Sequence, residues 1–238
     1  MFRQRFQAAL PEKQPLPRWP LAALVLLAIL AALAKWQENL LLQIDRPIIA
    51  VVQKQIQPVP TFGWHLLSVA FQPTLDCFYI VLLAIWLWWH RRTRMGIAVL
   101  IMMASGTIAN HFLKSFIARP RPQIRVIIPE AGFSFPSGHT FGITLCLLLL
   151  YFVLIRPLPQ RIWHILAIVV SALLIIGMAT ARVYLGDHYP SDTLGGFLFA
   201  LLWFKLCEMG LHIVNRFYHR SKPQPRHAHH EQHPNEDL

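Results

Sequence analysis

Residues 162–192 read IWHILAIVVSALLIIGMATARVYLGDHYPSD, in which Ile162 to Thr180 contain no Asp, Glu, Lys or Arg and a dense polar cluster follows at once. An uninterrupted apolar run of ~20 residues is what a helix needs to cross a bilayer core. Working outward, the pattern recurs near Trp19 to Trp36, Cys77 to Trp89, Met95 to Leu113, Thr140 to Ile155 and Leu194 to Ile213. The Cys77 run is short and is expected to extend upstream through Pro73 to Asp76. Lipid leaves no water to satisfy backbone groups, so runs of this length must be helical. The fold class is therefore all-α, a polytopic membrane helical bundle with about six transmembrane helices. Composition agrees: 55% of residues are apolar, 14% are charged and mean hydropathy is +0.44, which excludes most soluble folds and a disordered chain.

The chain carries 22 Lys and Arg against 11 Asp and Glu, a net charge of +11. In a membrane protein such an excess speaks first to topology, and no nucleic-acid partner is expected. With a cytoplasmic N-terminus the inner segments are the first 18 residues, His90 to Arg94, Arg156 to Arg161 and the tail after Val214. They hold four, three, two and four Lys or Arg, so each obeys the rule that cations stay inside. This divides the chain into a cytoplasmic segment, 1–18, a membrane-embedded domain, 19–214, and a cytoplasmic tail, 215–238, with the composition of disorder. His227, His229, His230 and His233 in that tail are read as solvated, with metal binding the lesser alternative. Ala32-Leu33-Ala34 also suits a cleavable signal peptide, but the long basic leader and the apolar run to Trp36 favour an uncleaved anchor. Between the first two spans, Gln37 to Gln72 mixes apolar and polar residues and suits helices on the outer surface, broken by Pro58 and Pro60, or a re-entrant hairpin. Cys77, Cys146 and Cys207 have no metal-type spacing, and no disulfide is expected.

Outer segments hold eight Lys or Arg, and five of them, Lys114, Arg119, Arg121, Arg125 and Arg182, crowd two short stretches. They belong to polar clusters at 114–122, 135–139 and 182–192. By the span count all three clusters open onto one aqueous face. Arg presents a planar fork of donors matched to phosphate oxygens, so Lys114, Arg121 and Arg182 point to an anion. Pro136-Ser137-Gly138 ahead of an apolar run reads as a helix N-terminus, where free N–H groups and the dipole also favour phosphate, and Gly138 lets the backbone approach. If the last span begins near Pro190, Asp192 can fold back on one imidazole nitrogen of His188 and leave the other free to attack. His139 is then placed to act as general acid. A metal site is disfavoured, because the same cations repel a divalent ion.

Lys114 separated by six residues from Arg121-Pro122, Pro136-Ser137-Gly138-His139, and Arg182 separated by five residues from His188, itself separated by three from Asp192, resemble the three signature motifs of the type 2 phosphatidic acid phosphatase superfamily. The motifs lie within 110–195. The resemblance implies a membrane lipid phosphatase without metal or other cofactor. It makes His188 a nucleophile that becomes phosphohistidine, with Asp192 orienting it and His139 protonating the leaving group. Lys114, Arg121, Ser137, Gly138 and Arg182 then hold the phosphoryl oxygens. One departure is Ala181, where the family usually has Ser. Arg119 falls outside the motif positions, so Arg119→Ala is expected to leave much activity; with Arg125 it is read as extra charge for a diphosphate or a headgroup contact.

The implied substrate is a lipid phosphate: an isoprenyl diphosphate such as undecaprenyl diphosphate, phosphatidylglycerol phosphate, phosphatidic acid or a lipid A phosphate. The implied setting is the cell (inner) membrane, with the site on the periplasmic or extracellular side and both termini cytoplasmic. Rival readings are a lipid phosphotransferase using the same phosphohistidine, a vanadate-dependent haloperoxidase, disfavoured by six spans, and a nonenzymatic lipid-binding protein, disfavoured by the full set of catalytic residues.

Overall fold

The computed structural model describes residues 18–54, 56–123 and 125–220, with side chains to residue 211. The expected basic leader, apart from Arg18, and residues 221–238 of the expected tail lie outside the described residues, whereas residues 215–220, read as part of the disordered tail, continue the last helix. Eight α-helices and no strands occur among the described residues: α1 (Trp19–Trp36), α2 (Glu38–Val52), α3 (Pro58–Ala70), α4 (Pro73–Trp89), α5 (Thr93–Ile117), α6 (Gly138–Leu150), α7 (Arg161–Tyr184) and α8 (Pro190–Arg220). A π-helical turn, Tyr151–Ile155, prolongs α6. The all-helical membrane bundle read from the sequence is the fold observed.

Five helical segments are long and apolar enough to cross a membrane: α1, α5, α6 with its π turn, α7 and the Pro190–Leu211 part of α8. The sixth expected span is not α4 alone. It meets the same test only together with α3, from which it is bent by 48° across Phe71 and Gln72. Pro58 starts α3 instead of breaking a helix, as suits a residue with fixed φ and no N–H to satisfy. Helix α7 shows lipid-facing chemistry most plainly, with Ile165, Ile168, Val169, Leu173 and Ile176 all exposed. In water such a surface would aggregate; in a bilayer it is the solvent-exposed face.

Helix α6 is the axle of the bundle, packing against α4, α5, α7 and α8. Ile80, Leu83 and Leu87 of α4, Met102 and Met103 of α5, Phe141, Leu145 and Leu149 of α6 and Ala200 of α8 form its core. Lipid tails are as apolar as these side chains, so close contact, not escape from water, selects the arrangement. At Gly196 of α8 a Cβ would stand 2.5 Å from the carbonyl oxygen of Ser137. Only glycine lets α8 approach the start of α6 so closely, which brings the second and third polar clusters together.

Helix α2 lies against α1, α7 and α8. Its Leu40, Ile44, Ile48 and Val51 are exposed on one side, while Leu41 and Asp45 are buried on the other. That pattern suits a helix resting at the membrane surface with its apolar stripe towards lipid. A buried aspartate on its inner face is the feature such a helix does not by itself explain.

Candidate active site

Alternating helix direction gathers the polar clusters at one end of the bundle: Lys114 in the last turn of α5, Ser137 and His139 at the start of α6, Arg182 in the last turn of α7 and Asp192 in the first turn of α8. Ser137 is the N-cap of α6, its Oγ accepting from the Thr140 N–H at 3.4 Å. Helix α8 begins at Pro190, four residues before the apolar run, so Asp192 sits where a carboxylate also meets the positive end of the dipole. Between α7 and α8 the chain turns through Gly186 at φ +83°, where a Cβ would meet the Arg125 carbonyl oxygen at 2.5 Å. This turn presents Asp187 and His188 to the bundle interior.

Around His188 the groups converge. Nη1 of Arg121 is 3.3 Å from its Nε2 and donates to the Asp187 carbonyl at 2.9 Å. Nδ1 faces Oδ2 of Asp192 at 3.5 Å, longer than a formed hydrogen bond. An arginine only donates, so Nε2 of His188 is the accepting nitrogen and Nδ1 carries the proton towards Asp192. Burial first, then Arg182, Lys114, Arg121 and His139, hold His188 well below the usual histidine range. The imidazole is thus neutral, with its lone pair turned to the cationic side.

Arg182 is almost fully buried and donates to Ser68 Oγ at 2.5 Å, with Nη1 3.4 Å from Nε2 of His139. Its other nitrogen contacts both Glu130 and Asp187. Glu130 also pairs with Arg121 at 3.3 Å. Burial opposes ionisation of Glu130, but Arg182 and His139 outweigh it and draw its carboxyl down to about 2. A cavity of about 160 Å³ opens beside these groups, lined in part by Ser68, Glu130, His139 and Arg182. A second, of about 210 Å³, is lined in part by Lys114, Gly138 and Asn110. Gly138 is not crowded by protein, since a Cβ there would make ordinary contacts with Pro73 and Asn110.

All eight residues singled out from the motifs, His188, His139, Asp192, Lys114, Arg121, Ser137, Gly138 and Arg182, therefore meet at this end of the bundle. Arg119 does not behave as read. It is 1% exposed and donates to Asp192 at 2.7 Å, Asp45 at 2.9 Å and Ser191 at 2.8 Å. With its charge consumed by two carboxylates it is no loose headgroup contact, and the expectation that Arg119→Ala is mild loses its physical basis. Sequence reasoning missed Asp45, Ser68 and Glu130, which lie outside the motifs and enter the site from α2, from α3 and from the loop between α5 and α6.

The PAP2 superfamily model matches residues 95–215. Phosphatidylglycerophosphatase B of Bacillus subtilis (strain 168) is 30% identical over 179 residues, covering 73% of this chain and 84% of that protein. Undecaprenyl-diphosphatase BcrC of the same organism is 31% identical over 132 residues, 52% of this chain and 62% of that one. The crystal structure of the first transmembrane PAP2 type phosphatidylglycerolphosphate phosphatase from Bacillus subtilis superposes with a TM-score of 0.74 at 27% identity, covering 84% of this chain and 100% of its own. Aquifex aeolicus LpxE shares the fold, with a TM-score of 0.53 at 20% identity over 71% of this chain and 95% of its own.

Proposed function

The chain belongs to the PAP2 superfamily, and from that membership we propose that this membrane lipid phosphatase hydrolyses a phosphomonoester or diphosphate of a lipid through a phosphohistidine formed on His188. The observation that carries the reading is the juxtaposition of a neutral, buried imidazole nitrogen with the Arg121 guanidinium at 3.3 Å. Isoprenyl diphosphates such as undecaprenyl diphosphate, and phosphatidylglycerol phosphate, are the substrate classes favoured, because relatives bear those activities in their names.

The phosphoryl group enters between Arg121 and Arg182, displacing Glu130, whose carboxylate pairs with both guanidinium groups. The lone pair of His188 Nε2 attacks phosphorus, and the bond to the leaving oxygen breaks. Asp192 accepts from Nδ1–H and balances the positive charge that develops on the ring. Charge on the three equatorial oxygens is met by Arg121, Arg182, Lys114 and the N–H groups at the start of α6. His139 gives its proton to the departing oxygen. Its Nε2 faces the Arg182 guanidinium at 3.4 Å, and the substrate's negative charge lets it carry that proton. Water then attacks the phosphohistidine, His139 takes a proton from it, and phosphate leaves.

Cation counts on the loops favour a site on the outer face of the cell membrane with both termini cytoplasmic. The test of function is phosphate release by purified protein in detergent with EDTA, across lipid monophosphates and diphosphates. Release with EDTA present supports the reading. Release only on adding a divalent ion, or transfer to an added acceptor lipid without free phosphate, contradicts it.

A further inference from the structure

We propose that Arg119 and Asp45 are positioning residues for Asp192 and His188, through a buried carboxylate–guanidinium–carboxylate chain that ties helix α2 to the catalytic acid. The inference rests on the reading of His188 as nucleophile.

All three nitrogens of the Arg119 guanidinium face other side chains of the protein. Nη1 reaches Asp192 Oδ1 at 2.7 Å and Ser191 Oγ at 2.8 Å, and Nη2 reaches Asp45 Oδ2 at 2.9 Å. Nε faces Glu38 at 3.5 Å, and the Tyr189 ring lies 3.9 Å beneath the guanidinium carbon. The work of Arg119 is therefore on Asp192 and not on substrate. Of the two Asp192 oxygens, Oδ1 is taken by Arg119 and Oδ2 accepts from the Tyr189 N–H at 2.8 Å. The carboxylate is pinned at both ends, and the long 3.5 Å approach of His188 Nδ1 is set by where those partners hold it.

Asp45 fixes the other end. It accepts from the Ser191 N–H at 2.9 Å and the Ser191 Oγ at 2.6 Å, capping α8 from outside one residue before Asp192. Asp45 and Asp192 are both essentially unexposed, so Arg119 is the counter-charge that lets two carboxylates lie close together in the interior. One guanidinium between two carboxylates leaves a net negative charge beside His188, which favours the ring when it turns positive on phosphorylation. An active site needs such support because a small misplacement of a reacting group is costly in rate.

The experiment uses the full chain purified in detergent, with kcat and KM for a short-chain phosphatidic acid and an apparent melting temperature for each variant. Arg119→Gln and Asp45→Asn are expected to lower kcat at least about tenfold while KM stays within about threefold, because neither residue touches substrate. Arg119→Lys keeps one charge without the fork and should fall between Arg119→Gln and the parent. If Arg119→Gln fails to fold, Asp45→Asn, which keeps the shape of the side chain, decides. Unchanged kcat in folded Asp45→Asn, or KM rising in step with lost rate and no recovery in Arg119→Lys, overturns the inference. His188→Ala is measured alongside. Activity there overturns the nucleophile itself, whereas an inactive His188→Ala with fully active Asp45→Asn and Arg119→Gln overturns only the positioning chain.

Discussion

Nη1 of Arg121 stands 3.3 Å from Nε2 of His188, joining two sequence motifs 67 residues apart at the atom expected to attack phosphorus. A fixed cation there meets charge that grows on the equatorial oxygens only as the reaction proceeds, so its contribution appears in kcat. Arg121→Ala should lower kcat about a hundredfold, or about 3 kcal/mol. Arg121→Lys should recover only part of that, since an ammonium lacks the planar fork. Steady-state phosphate release checks both.

Glu130 holds the two guanidinium groups that the phosphoryl group needs. Removing its charge while keeping its shape should make the site more receptive to anions. Glu130→Gln is expected to lower KM and to tighten inhibition by inorganic phosphate a few-fold, roughly 0.5 to 1 kcal/mol, because the displaced pair is partly solvated. Weaker inhibition by phosphate in that variant would show that Glu130 supports the cationic groups and does not compete for them.

The motif residues were legible because each motif is a short local run and the span count alone sets all three at one end. What could not be read was which cations are already spoken for. Arg119 and Arg121 flank a single proline and look alike in sequence, yet one is locked between Asp45 and Asp192 while the other faces His188. Those partners lie 74 and 73 residues from Arg119, and only the packing of α2 against α8 brings them in. The bend between α3 and α4 was equally hidden, because each helix is too short or too polar to announce half a span.

His188 is neutral in the folded protein and free to take a proton once unfolded. With its folded pKa depressed, its contribution to stability is present above the unfolded value of 6.5 and is lost as pH falls below it. The slope from one such group is at most about 1.4 kcal/mol per pH unit. The apparent melting temperature should therefore fall between pH 7 and pH 5, and less steeply in His188→Asn. Equal slopes in the two proteins would mean that His188 binds protons alike in the folded and unfolded states, so that its folded pKa is not depressed.

Gly196 closes the seam between α6 and α8, with no room for a Cβ beside the Ser137 carbonyl. Gly196→Ala should separate Ser137 and His139 from Asp192, costing about 1 to 3 kcal/mol of stability and at least about tenfold in kcat. Thermal unfolding and phosphate release measure the two losses. Activity retained at the parent level would show that the seam tolerates displacement.

The most direct measurement is to quench the purified protein during turnover of a lipid carrying radiolabelled phosphate, and to locate the label by peptide mapping under alkaline conditions that preserve phosphohistidine. The account predicts an acid-labile phosphate on the peptide containing His188, absent from His188→Ala, which releases no phosphate. Label on another residue, or phosphate release by His188→Ala at the parent rate, would contradict it.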